Sequence, residues 1–445
     1  MRRKLYETMR SWKQSGNGRT AFMIDGARRV GKSYLAEAFA KNEYRSYILI
    51  DFARLPDDVR AIFELDKDDF NLFFEKLSSY YRVKLYKRNS LIIFDEVQRY
   101  PQARELIKYL VADGRYDYME TGSLLSLRQN TANIVIPSEE EHVELFPMDF
   151  EEYLWARGDE TTIPMLAARF QEKQPLGQAL HRRIMNDYRQ YMLTGGMPQA
   201  VQTFVNGGAF EEVDSIKRNI LKLYRNDVTK FARENTAKVL SIFDNLPSQL
   251  STREKIYHLS AIHRNARTRS YEEAFMWLSE AKITYDCYNA TEPSASLSMS
   301  MTHTTRKVYM ADTGLLVTHA FMDSDYVDND LYQAVLFDRL HVNEGMLMEN
   351  MVAQELRSHG HKLFFYSRSD TNHRENHMEI DFLIRRGRKI CPVEVKSAVY
   401  RKHSSLDKFR SKFSKKIGQP YILYTKDVME KDDVLHLPLY MAMFL

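Results

Sequence analysis

Three groups of residues carry types and spacings that chemistry uses. Gly26-Ala27-Arg28-Arg29-Val30-Gly31-Lys32-Ser33 matches the pattern G-x-x-x-x-G-K-[S/T] at every fixed position. In such a loop backbone N–H groups close around phosphate oxygens, the helix that follows presents its positive end, and the lysine brings a mobile cation to the β- and γ-phosphates. Ser33 is expected to offer its hydroxyl to Mg²⁺. Further on, the apolar run Leu91-Ile92-Ile93-Phe94 ends in Asp95-Glu96. Asp95 is expected in the Mg²⁺ shell, and Glu96 to take a proton from, or orient, an attacking water. Together the two groups call for ATP and Mg²⁺. Tyr116 to Ser123 reads as a neighbouring strand, and Thr121 or Ser123 at its end is placed to sense the γ-phosphate; a helix cap is the alternative for either. The third group is Asp381 with Glu394-Val395-Lys396. Asp381 and Glu394 can share a hard divalent cation, Mg²⁺ or Mn²⁺, while Lys396 steadies the charge of a hydroxide or phosphate. Residues two apart on a strand face one side, so Glu394 and Lys396 point into the same site, and Glu349 on the preceding helix is a further candidate metal ligand.

Each group needs elements to position it. Ala21 to Ile24 is an apolar strand ahead of the glycine loop, and Tyr34 to Ala40 a helix after it. Tyr47 to Phe52 reads as a second buried strand, and a helix is expected from about Asp69 to Tyr81. From Thr162 to about Phe231, charged and apolar residues alternate at helical spacing, broken at Pro175, Gly195-Gly196 and Gly207-Gly208, which predicts a helical lid. Its Arg182, Arg183, Arg218 and Arg225 are candidates to reach a neighbouring subunit's γ-phosphate, against the plainer reading of solvated helix charges.

Between about Asn235 and Asp312, Ile256 to Leu259, the polar Arg264 to Ser270 and Tyr271 to Leu278 predict helix, turn, helix. Ile283 to Tyr288 and Lys307 to Met310 predict two wing strands around a Ser-rich loop. Arg264, Arg267, Arg269 and Lys282 would meet DNA phosphates. Glu272 and Glu273 count against that, and packing or protein contact is the alternative. After an acidic stretch at Asp323 to Asp330, a helix is expected over Gly345 to Leu356 and strands over Lys362 to Ser367, Met378 to Ile384 and Ile390 to Val395. Arg385, Arg386, Arg388, Lys389, Arg401, Lys402, Lys408, Arg410, Lys412, Lys415 and Lys416 form a basic stretch that fits either a phosphate backbone or a solvated face. His373, His377 and His403 lack ligand spacing.

The whole composition sets bounds. Across 445 residues, 64 basic and 60 acidic side chains leave a net charge of +4, so a nucleic-acid contact must come from local patches. Cys287 and Cys391 are the only cysteines and lack zinc spacing, which points to a reducing compartment. No apolar run is long enough to span a bilayer and the first residues lack a signal peptide's apolar core, so no membrane partner and a cytoplasmic location are expected.

On these motifs the chain resembles prokaryotic AAA-type ATPases that carry a C-terminal region of unassigned function, DUF4143, with a nuclease-like fold. The matching residues are Gly26 to Ser33, Asp95-Glu96-Val97-Gln98 with Pro101, Thr121-Gly122-Ser123, Leu145 to Leu154, Tyr191 to Pro198, and Asp312-Thr313-Gly314-Leu315. The order of Glu349, Asp381, Glu394 and Lys396 is similar to that of PD-(D/E)xK nucleases, without the proline that usually precedes the aspartate. The resemblance implies an α/β fold in three parts: a P-loop NTPase with a parallel sheet of AAA/ASCE type over residues 1–157, a helical and winged-helix middle over 158–322, and a restriction-endonuclease-like α/β domain over 323–445. It implies an ATPase with ATP, DNA, a protein partner or further copies of itself as partners. Whether the last domain cuts DNA or is an inactive, nucleotide-switched binding module stays open at this level.

Overall fold

The computed structural model describes residues 1–123, 138–252, 254–262, 267–294, 296–322, 344–368, 377–396 and 404–445. Arg264, Asn265, His373, Arg401, Lys402, His403 and the Asp323 to Asp330 stretch therefore lie outside the described residues. The chain divides into two compact units, Met1–Phe146 and Pro147–Leu445.

Among the described residues five strands build the first unit: β1 (Ala21–Asp25), β2 (Ser46–Asp51), β3 (Ser90–Asp95), β4 (Asp117–Gly122) and β5 (Glu140–Glu144). They pair in the order β2-β3-β4-β1-β5, all parallel. Every residue of β1, β3 and β4 is buried, as a parallel sheet covered on both faces requires. The covering helices are α1 (Leu5–Gly16), α2 (Lys32–Glu43), α3 (Asp57–Leu65), α4 (Phe70–Tyr81) and α5 (Pro101–Asp113). Helix α4 starts where Asp69 accepts the Asn71 and Leu72 amides, so the expected helix is observed with its cap. Phe52, Phe63, Phe73, Phe94 and Tyr100 pack edge to face or stacked in one core on this sheet. Strand β4 lies between β1 and β3, which sets Thr121 between the glycine loop and the acidic strand end. On the opposite face of β4, buried Glu120 lies 3.7 Å from Arg104, whose guanidinium also holds Glu140.

Among the described residues the second unit contains two sheets. β6 (Thr284–Ala290) and β7 (Met301–Met310) form an antiparallel pair, and β8 (Phe364–Arg368) and β9 (Met378–Ile380) extend it in the order β7-β6-β8-β9. β10 (Phe382–Arg386), β11 (Lys389–Val395), β12 (Tyr421–Tyr424), β13 (Met429–Lys431) and β14 (Val434–Pro438) pair in the order β10-β11-β12-β14-β13. The strands expected as a wing thus share a sheet with strands expected in the last domain. The single strand expected over Met378 to Ile384 is instead two: the chain changes sheets at Asp381.

The expected helix at Ile256 to Leu259 is absent as well. Ile256 bridges to Lys307 of β7, and a short 3₁₀ turn follows at Leu259–Ala261. Four residues cannot repay the cost of nucleating a helix, whereas one edge of β7 offers them a partner. The helix that packs against Thr268–Glu280 is Thr236–Leu250.

Three motifs without evident chemistry meet in this unit. Met148 N donates to Gly196 O at 2.7 Å, Tyr191 O–H donates to Met148 O, and the Gly196 amide donates to Asp312. A Cβ on Gly196 would lie 2.1 Å from Met148 O, and one on Gly314 would lie 2.5 Å from Gly195 Cα. The Glu344–Ser358 helix closes the cluster. Its Gln354 accepts from the Thr313 amide and donates to Tyr191 Oη, Asn350 accepts from the Met310 amide, and Glu355 accepts from the Phe150 amide.

Candidate functional site

The glycine loop joins β1 to α2 with its backbone turned inward. Gly31 sits at φ 94°, a left-handed conformation that glycine adopts without a Cβ penalty, and a Cβ on Gly26 would stand 2.4 Å from Leu145 O. Arg29 holds φ 73°, rarely populated by a residue with a side chain. Ala27 and Val30 are buried, while Arg28 and Arg29 point outward. No side chain caps the first turn of α2, which leaves its amides to an anion. Lys32 Nζ donates to Gly26 O and Ala27 O, each at 3.0 Å, inside the cradle where phosphates would bind. Burial pushes its pKa below the usual lysine value, against the pull of Glu96, Asp25 and Asp95.

Around Asp95 the polar groups converge. Ser33 Oγ donates to Asp95 Oδ1 at 2.7 Å, and Thr121 Oγ1 donates to the same oxygen. The Glu96 amide donates to Thr121 Oγ1 at 3.2 Å, and Gln98 Nε2 donates to Glu96 Oε2 at 2.6 Å. Glu96 itself lies in the left-handed region at φ 53°. Gln98 was no candidate in the sequence, yet it orients the carboxylate expected to act on water. A Cβ on Gly122 would come within 2.6 Å of Gln98 Oε1, so the glycine after Thr121 makes room for it. Two hard oxygens, Ser33 Oγ and Asp95 Oδ1, lie together beside the glycine loop; this is the donor set of an ion that takes one or two protein ligands and completes its shell with phosphate and water. Mg²⁺ fits the residues present.

In the second unit Glu349, Asp381, Glu394 and Lys396 gather with four residues that the sequence reading did not place at a site, Lys255, Lys307, Tyr309 and Glu379. Lys307 Nζ lies 3.1 Å from Glu349 Oε1, 3.0 Å from Glu379 Oε1 and 3.5 Å from Asp381 Oδ1. Lys255 Nζ lies 2.8 Å from Glu349 Oε2, and Tyr309 O–H donates to Glu349 Oε1. Alternation explains the set: Lys307 and Tyr309 are two apart on β7, and Glu379 and Asp381 two apart where β9 ends. Asp381 Oδ2 accepts from the Val395 amide at 2.9 Å, while Lys396 pairs with Glu394 at 2.8 Å. Burial alone would lower the pKa of Lys307, but Glu349, Asp381 and Glu379 hold its ammonium well above the usual value. Burial likewise opposes ionisation of Glu349, yet Lys307 and Lys255 bring its carboxyl down to about 2. Among the described residues no group of three or more His, Cys, Asp or Glu is arranged to hold a metal ion. An ammonium fills the space, and a divalent ion does not fit the cluster as it stands.

Other candidates are engaged elsewhere. Arg218 holds Asp214 and Phe321 O, and Arg225 pairs with Asp244, whereas Arg182 and Arg183 are exposed. In the basic stretch Arg386 donates to Phe444 O and Leu445 O, Arg410 to Asp432 O, and Lys416 pairs with Glu292. Arg306, beside Lys307 on the other face of β7, pairs with Glu272.

Models of known families match three stretches of the chain. Residues 18–154 match the model of an AAA domain (AAA_14). Most of the first unit is thus similar to an AAA domain. Beyond it, residues 185–326 match a domain of unknown function (DUF8612) and residues 344–440 another (DUF4143). No curated protein matches the chain. Two solved structures are loosely similar. One is a signal transduction ATPase with numerous domains from Pyrococcus horikoshii with a tetratricopeptide repeat sensor, 12% identical with a TM-score of 0.28 over 78% of this chain. This chain spans about half of its length, 47%. The other is protein VC1899 from Vibrio cholerae, 11% identical with a TM-score of 0.19 over 95% of both chains. Likenesses this loose carry no argument.

Proposed function

We propose that this chain binds ATP with Mg²⁺ at Gly26 to Ser33 and hydrolyses it. The observation that carries the reading is the meeting of Ser33 and Thr121 hydroxyls on one oxygen of Asp95, directly beside the Lys32 cradle. Loop amides and Lys32 take the phosphates, and Lys32 exchanges the loop carbonyls it now holds for phosphate oxygens. Ser33 and Asp95 would hold Mg²⁺, which neutralises charge on the β- and γ-phosphates when bound. Glu96, steadied by Gln98, accepts the proton of the attacking water, and Thr121 links that carboxylate's backbone to the metal ligand Asp95. Nucleotide binding and turnover by the purified chain test this. Lys32→Ala is expected to lose binding, and Glu96→Gln to bind ATP but lose at least about a hundredfold in turnover, a typical share for a general base. Unaltered turnover in Glu96→Gln refutes the assignment.

A second reading concerns the DUF4143 region. Lys307 amid Glu349, Glu379 and Asp381 favours a nucleotide-switched module that binds DNA or a protein over a nuclease, because hydrolysis of a phosphodiester at such a site requires a metal where the ammonium lies. Its DNA contacts would come from Arg267, Arg269 and Lys282. The parent chain with Mg²⁺ or Mn²⁺ and linear, supercoiled or single-stranded DNA is expected to leave the DNA intact; metal-dependent cutting that Asp381→Ala abolishes would restore the nuclease.

A further inference from the structure

The charged cluster of the second unit is assembled from five places in the chain: the segment at Lys255, β7, the Glu344–Ser358 helix, the β9–β10 junction and the end of β11. Its acids are those a two-oxygen or three-oxygen metal site would use. Its distances are not: each carboxylate oxygen near Lys307 stands 3.0 to 3.5 Å from the ammonium nitrogen, against about 2.0–2.1 Å for Mg²⁺ and its ligands. The Lys307 side chain is 1% exposed and Glu349 3%. A lysine this deeply buried persists as an ammonium because carboxylates surround it, and with Lys255 it in turn holds the Glu349 carboxyl ionised, while burial pushes the pKa of Glu379 up. With every group ionised, Glu349, Glu379, Asp381 and Glu394 against Lys255, Lys307 and Lys396 leave one excess negative charge; without Lys307 the excess is two, the charge of one divalent ion.

We propose that the Lys307 ammonium is the resident cation of this cluster, supplied by β7 in place of a metal, and that withdrawing it opens a site for Mg²⁺ or Mn²⁺ on Glu349, Glu379 and Asp381. This deepens the second reading above and rests on it. Lys307 is a plug carried by the strand next to the site, and its backbone position is fixed on both sides, by pairing with Cys287 of β6 and by the bridge to Ile256. Metal entry therefore requires either loss of the side chain or movement of β7.

The test uses the full chain without nucleotide and Mn²⁺ followed by electron paramagnetic resonance, with Asp381→Asn as the reference that subtracts binding elsewhere. The parent and Asp381→Asn are expected to take up Mn²⁺ alike. Lys307→Met, which keeps an unbranched apolar stem, is expected to gain one Mn²⁺ per chain, and the double variant Lys307→Met/Asp381→Asn to lose it again; Lys307→Arg keeps a cation and should gain none. Uptake by the parent that depends on Asp381 overturns the proposal, as does a folded Lys307→Met that gains no ion. Should Lys307→Met fail to fold, the comparison of parent with Asp381→Asn still decides. Asp381-dependent uptake without DNA cutting sinks this proposal alone, whereas cutting by the parent sinks the binding-module reading with it.

Discussion

Thr121 Oγ1 stands between Asp95, the last residue of β3, and Glu96, which follows it, donating to Asp95 and accepting from the amide of Glu96. Thr121→Val keeps the shape and removes both bonds. Because the Glu96 amide is then left without that acceptor, its carboxylate loses its aim; turnover is expected to fall at least about tenfold, equivalent to about 1.4 kcal/mol in the barrier, while ATP affinity changes little. Steady-state turnover and nucleotide titration of Thr121→Val check this, and a weakened affinity with unchanged turnover would contradict it. From sequence, Thr121 and Ser123 were equal candidates. What separates them is register: Thr121 lies opposite Ile24 in the pairing of β4 with β1, one residue short of the strand's end, whereas Ser123 lies beyond β4. Lys307 was illegible for another reason. A lysine in a strand ordinarily reads as a solvated charge, and its partners Glu349, Glu379 and Asp381 are 42, 72 and 74 residues away, too far for any local pattern to link them.

Elements read best where their apolar pattern was long and strictly local. β1, β3, α4 and β11 lie where periodicity puts them, since continuous apolar runs or a capped helix leave one solution. Met378 to Ile384 misled because alternation continues smoothly through Asp381, while the backbone there passes from pairing with β8 to pairing with β11. Nothing in side-chain type marks that step. The Gly195-Gly196 and Asp312 to Leu315 turns were visible as motifs but had no partner until the fold placed Gly314 against Gly195. Their contribution is structural, so it should appear in stability: in Gly314→Ala a new methyl meets backbone 2.5 Å away that no rotamer can clear. The second unit should lose roughly 2 kcal/mol or more, at the upper end for overpacking. Gly345→Ala is the control, with nothing within 4 Å of its Cβ, and should be neutral or slightly stabilising. Thermal melts of the two variants decide, and equal melting temperatures would remove the packing role assigned to the turn.

At the scale of the whole molecule the two units treat cations in opposite ways. One sheet of the second unit joins Thr284–Met310 with Phe364–Ile380, although the acidic stretch at Asp323 to Asp330 lies between these segments in sequence and marks the composition shift there. The first unit presents Ser33 and Asp95 oxygens beside the Lys32 cradle, where the proposed function has a divalent ion arrive with nucleotide. The second already holds Lys307 and Lys255 ammoniums against its carboxylates. Ligands stabilise the state that binds them, by about 2.7 kcal/mol at a hundredfold excess over the dissociation constant. Chelation by EDTA is therefore expected to stop ATP turnover, and added Mg²⁺ to restore it. Amide exchange at Gly26 to Ser33 should slow only when Mg²⁺ and nucleotide are both present. Exchange across β7, the Glu344–Ser358 helix and β11 should be the same with EDTA and with Mg²⁺ alone. A slowing there by Mg²⁺ alone would mean that an ion had displaced Lys307 from Glu349 and Asp381, and the division of labour between resident ammonium and borrowed metal would fall.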